Sequence, residues 1–122
     1  MIEEGQIVLF AFPQTDQVAG SLRPALIVRS IPGSRDDWLV CMISSQLHHE
    51  ISGIDEVIRH TDSDFAETGL KTTSLVRVTR LAVVAGEILE GAIGNLTEER
   101  LERIRKNLTN WILGAEDEPE IE

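Results

Sequence analysis

Apolar residues fall in short runs divided by polar stretches that carry glycine or proline, a spacing that favours strands over helices. GQIVLFAF at 5–12, bounded by Gly5 and Pro13, predicts the first strand. ALIVRS at 25–30 predicts the second. WLVCMISS at 38–45 predicts a third, almost uniformly apolar until Ser44 and Ser45. SLVRVTRLAVV at 74–84 predicts another, with Arg77, Thr79 and Arg80 interrupting its apolar positions. The connection at 13–24 holds Pro13, Gly20 and Pro24 and reads as a loop, long enough to suggest a functional one. IPGSRDD at 31–37 is a turn. EISGIDEVIRH fits either a strand broken at Gly53 or a short helix, 62–73 reads as a loop turning at Gly69, and GEILEGAIGNL reads as short extended pieces.

The period changes near the end. Leu101, Ile104, Leu108, Trp111 and Ile112 recur at helical spacing, behind Thr97 as N-cap, Glu98 and Glu99 in the first turn, and Gly114 as C-cap. Arg100, Arg103, Arg105 and Lys106 lie off this stripe and read as a solvated face. Short strands followed by one helix predict a mainly β fold, a small barrel or curled antiparallel sheet with a C-terminal helix packed on it. A single domain over 1–114 is expected, with its helix at about 97–113.

Composition adds two constraints. Of 122 residues, 42% are hydrophobic, enough for a core, and the net charge of −10 argues against loose attraction to polyanions. Five of the acids sit in AEDEPEIE at 115–122, expected to be a disordered tail. The single cysteine, Cys41, lies within WLVCMI and reads as a buried structural thiol. MIEEG carries acids where a secretion signal carries bases, and no apolar run approaches membrane-spanning length, so a cytoplasmic protein is expected.

Familiar catalytic spacings are missing: no HExxH, GxxxxGK[ST], GxGxxG or GxSxG occurs. His48 and His49 are adjacent, so on a strand they would face opposite ways, and neither a metal nor a cofactor is expected. What remains is polar groups at the ends of apolar strands: Arg23 before the second, Ser44, Ser45 and Gln46 closing the third, Arg77 within the fourth. Guanidinium forks, hydroxyls and an amide are the groups that hold a phosphodiester.

Five segments in order resemble the PemK/Kid/MazF family of type II toxin–antitoxin toxins: GQIVLFAFP at 5–13, RPALIV at 23–28, ISSQ at 43–46, GLKTTSLVR at 69–77 and IGNLTEERL at 93–101. The resemblance implies an SH3-like barrel with a terminal helix. It implies a metal-independent endoribonuclease that cuts single-stranded RNA, usually mRNA, at preferred sequences. A homodimer neutralised by a cognate antitoxin is implied as well. Carried onto this chain, the family's catalytic groups fall on Arg23, Ser44 and Arg77. Pro24, Thr15, Asp16, Ser45, Gln46 and Lys71 are the candidate RNA-binding positions, because the 13–22 loop and the 46–50 segment flank that site. Thr79 and Arg80 stand where many members carry an aspartate and a glutamine, so His48 or His49 is a candidate for proton transfer. A non-catalytic binding module and a gyrase-directed toxin of the same fold are the alternatives.

Overall fold

The computed structural model describes residues 2–11 and 22–114. Its strands are β1 (Gln6–Phe10), β2 (Arg23–Ser30), β3 (Asp37–Ser44), β4 (Glu56–Ile58), β5 (Ser74–Ala85) and β6 (Ala92–Asn95). They form one antiparallel sheet in the order β4-β5-β3-β2-β1-β6. Helix α1 (Phe65–Thr68) precedes β5, helix α2 (Glu98–Leu113) closes the chain, and 3-10 turns span Leu47–His49 and Gly86–Ile88. The sheet curls into a half-barrel, with α2 packed against it.

The unbroken apolar run of β2 is explained by two cores. Leu26 and Val28 join Cys41, Ile43, Val76 and Val78 against Leu101, Ile104 and Leu108 of α2. Ala25 and Ile27 turn the other way, to Val8, Phe10, Val40 and Val84, with Trp38 and Leu89 packed around them. Covered on both faces, the strand has no place for alternating polar residues.

Bulges produce the curl. Between β3 and β5 the register passes from Cys41↔Leu81 to Met42↔Arg77, leaving Val78, Thr79 and Arg80 without partners on β3. A bulge bends its strand and re-aims side chains. The polar residues that interrupt the apolar pattern of β5 are therefore the bulge and its edge.

Several expectations need correction. The 62–73 stretch is not all loop, since α1 lies within it, with Gly69 as its left-handed C-cap at φ 73°. EISGIDEVIRH supplies a strand, but only Glu56–Ile58. The stripe of α2 is buried at Leu101, Ile104 and Leu108, whereas Trp111 and Ile112 are exposed.

The basic face of α2 is only partly solvated: Arg103 and Lys106 are exposed, whereas Arg100 and Arg105 are drawn in against acids. The Arg100 side chain is 11% exposed and bonds Glu56, Asp62 and Asp64 at 2.9, 2.7 and 2.8 Å. Arg103 bonds Glu56 at 2.7 Å, and Arg105 bonds Glu4 and the carbonyl of Val28. Helical periodicity describes only the helix's own faces, and the acids that clasp it arrive from β4, the 62–64 turn and the N-terminal segment. Thr97 accepts the N–H of Arg100, as the capping pattern predicts.

Candidate active site

A cleft of about 390 Å³ opens where β2 and β3 part. Their ladder ends at Ala25↔Met42, while β1 still pairs with β2 out to Phe10↔Arg23 and β3 with β5 out to Ser44↔Leu75. Pro24 has no N–H to continue a ladder, and it confines Arg23 to extended geometry. Arg23 and Pro24 thus form one lip of the cleft, and Ile43, Ser44, Ser45 and Gln46 the other. Alternation puts Arg23 and Ser44 on the sheet face of Ala25 and Met42, one step beyond that last pair.

The far wall is Gly69, Leu70, Lys71 and Thr72, with Ile93 of β6 beside it. A β-carbon at Gly69 would overlap the carbonyl of Ile93, and one at Gly94 would overlap the backbone of Thr68. The two glycines let α1 and β6 touch backbone to backbone. Thr68 Oγ1 donates to the carbonyl of Phe65 at 2.6 Å and accepts the N–H of Leu70, which fixes the turn that carries Lys71.

Chemistry in the cleft is set by which charges are paired. Arg23 and Lys71 line it, and no acid does so among the described residues. Neither cation has a side-chain partner among those residues, whereas Arg29, Arg100, Arg103 and Arg105 are all matched with acids. The acids of those pairs, Glu4, Glu56, Asp62 and Asp64, do not line the cleft, whose described charged residues are both cations. Ser44 is buried, and its Oγ accepts the N–H of Gln46 at 2.9 Å. Bound in this way, the hydroxyl keeps its proton for a ligand and acts as a donor.

Six of the sequence-derived positions meet here: Arg23, Pro24, Ser44, Ser45, Gln46 and Lys71. Arg77 does not line the cleft. It sits one row further along the same face, opposite Met42. Thr15 and Asp16 lie outside the described residues, as does the 115–122 tail. Sequence reasoning did not single out Leu9, Leu22, Leu70 and Ile93, which give the cleft an apolar side. The GLK and IGN segments were visible, but not the glycine contact that brings them together.

His48 and His49 do not diverge as they would on a strand. They occupy the 3-10 turn, with ring centroids 4.2 Å apart. Cys41 is fully buried and its thiol pKa is pushed up, by loss of solvent first and then by the charge of Asp55, so it is no nucleophile. Among the described residues, no group of three or more His, Cys, Asp or Glu could hold a metal, and no helix is long and apolar enough to cross a membrane.

A cleft lined by two cations and a hydroxyl, with no acid among the described residues, thus lies at the open end of a curled antiparallel half-barrel. The chain belongs to the family of PemK-like, MazF-like toxins of type II toxin–antitoxin systems, which it matches over residues 3–112. Its fold is similar to a mycobacterial endoribonuclease solved in complex with its cognate antitoxin, with a TM-score of 0.65 at 14% identity, covering 97% of this chain and 100% of that one. It is similar also to the Mycobacterium tuberculosis toxin MazF-mt6, with a TM-score of 0.62 at 18% identity, covering 88% of this chain and 95% of that one. No curated protein sequence matches it.

Proposed function

We propose that this toxin is a metal-independent endoribonuclease that cuts single-stranded RNA in the cleft between Arg23, Ser44 and Lys71. The observation that carries the reading is the pair of unpartnered cations facing a buried hydroxyl donor, with no acid among the described lining residues. Such a site attracts a phosphodiester and stabilises charge added to it.

RNA carries its own nucleophile. The 2′-oxygen attacks the adjacent phosphorus, the bond from phosphorus to O5′ breaks, and the products end in a 2′,3′-cyclic phosphate and a 5′-hydroxyl. The proton lost by the 2′-OH and the proton gained by O5′ exchange with water in the open cleft. Arg23 donates to the non-bridging oxygens as charge builds on them, and Ser44 adds a second donor whose position is fixed by Gln46. Lys71 supplies a mobile charge on the opposite wall. The apolar side, at Leu9, Leu22, Leu70 and Ile93, offers a surface for an unstacked base.

Thr79 stands where many members carry an aspartate, so this chemistry runs without a carboxylate at that position. Arg77 contributes from outside the cleft, as a charge next to it rather than as a ligand of the reacting phosphate. A cognate antitoxin and a second copy of the chain are the partners we propose, on the family's precedent. RNA cleavage in the presence of a chelator tests the reading, and a module that only binds is its competitor.

A further inference from the structure

Beside the cleft lies a second group of cationic and ionisable side chains that line no part of it. Arg77 and Arg80 flank the bulge of β5, opposite Met42 and beside the Leu81↔Cys41 pair. His48 and His49 come from the 3-10 turn that follows Gln46. Arg80, His48 and His49 are exposed and Arg77 is half-buried. His49 is near enough to the arginines for their charge to act on it: its pKa is lowered by desolvation, then by His48, Arg77 and Arg80. Exposed cations grouped in this way present a favourable place for an anion.

One carboxylate joins the two backbone segments that carry the group. Asp55 Oδ1 accepts the N–H of Val78 inside the bulge at 3.0 Å, and Oδ2 accepts the N–H of Ile51 at 2.9 Å. Asp55 thus ties the segment carrying the histidines to the strand carrying the arginines. It is directed to backbone, and neither Arg77 nor Arg80 has an acid partner among the described residues. Glu50, exposed at the end of the 3-10 turn, is the nearby acid in sequence, and its side chain is also unpaired among those residues. On the sheet, Arg77 lies opposite Met42, one row from Ser44 on the same face, so the group continues directly from the Ser44 lip.

We propose that His48, His49, Arg77 and Arg80 form a second phosphate subsite, which grips the backbone of the RNA strand next to the scissile phosphate. The subsite rests on the endoribonuclease reading and extends it: the cleft holds the reacting phosphate, and the bulge holds a neighbouring one. A short substrate fills only the first, and a longer strand fills both.

The test separates binding from cleavage by using 2′-O-methyl RNA, which cannot be cut. Binding of a labelled octamer and a dinucleotide is measured against salt for wild type and for the double variant His49→Gln, Arg80→Gln. These side chains make no hydrogen bond or ion pair within the described residues, and matching melting curves confirm that the variant is folded. The octamer should bind the variant more weakly, with a log-log salt slope shallower by about 0.7 per lost phosphate contact, the value for single strands. Dinucleotide binding should be unchanged. Equal octamer affinity and slope in wild type and variant would overturn the subsite while leaving cleavage by wild type untouched. Wild type that binds the octamer through this slope but cuts no ordinary RNA would keep the contact and end the endoribonuclease reading. No octamer binding by wild type would overturn the subsite outright.

Discussion

The backbone N–H of Gln46 donates to Ser44 Oγ at 2.9 Å, so the buried hydroxyl that lines the cleft is an acceptor in this bond and keeps its own proton to donate. A serine held in this way is a hydrogen-bond donor to a phosphoryl oxygen. Ser44→Ala should lower kcat by about 100-fold, the cost of one lost donor to a developing oxyanion, and leave the melting temperature nearly unchanged. Ser44→Thr keeps the hydroxyl and should retain most of the activity. Single-turnover cleavage rates of the two variants check this.

Gly69 is a structural keystone of the far wall. Its φ of 73° already disfavours a side chain, and a β-carbon would meet the carbonyl of Ile93. Gly69→Ala should cost about 1–3 kcal/mol for the strained backbone, plus whatever the overlap adds. Because Lys71 rides on this turn, activity should fall further than stability explains. Denaturant unfolding and rate measurements on the same sample compare the two.

Arg100 is the centre of the clasp between α2 and the rest of the fold. Removing it leaves Glu56 nearly buried, though still paired with Arg103. Arg100→Ala should therefore destabilise by about 3 kcal/mol, the low end for breaking a buried ion pair. Arg29→Ala breaks an exposed pair and should cost about 0–1 kcal/mol. Chemical denaturation of the two variants gives the contrast.

Acid should loosen the same clasp. Glu4 has its pKa lowered chiefly by the N–H of Ser30, Asp62 by the N–H of Arg59, and Asp64 by Arg100. Each carboxylate binds its proton less readily folded than unfolded, so its contribution is complete above the unfolded carboxylate range of about 4. That contribution is lost as pH falls through the lower folded values. Melting temperature should hold from neutral pH down to about pH 5 and then drop, and Arg100→Ala should flatten the drop.

The sheet strands and α2 were legible because their periods are local: alternating or continuous apolar runs, a capping threonine, a closing glycine. The Arg-Pro and ISSQ segments could be placed at strand ends for the same reason. What lay beyond local pattern was register. Whether Arg77 or Lys71 enters the cleft depends on a bulge that leaves Val78 to Arg80 unmatched, and on a glycine contact between α1 and β6. The fate of the arginines on α2 depended on acids far away in sequence, which helical spacing does not register. Thr15 and Asp16, which lie outside the described residues, stand as sequence expectations.

The central claim is that Arg23, mounted by Pro24 and without an acid partner among the described residues, stabilises the phosphorane during RNA cleavage. The most direct test incubates wild type and Arg23→Ala with unstructured single-stranded RNA in excess EDTA and reads both the rate and the new ends. Wild type should produce 2′,3′-cyclic phosphate and 5′-hydroxyl ends, and Arg23→Ala, melting at the same temperature, should be slower by about 100-fold or more. Intact RNA after incubation with folded wild type, or undiminished cleavage by Arg23→Ala, would contradict the account.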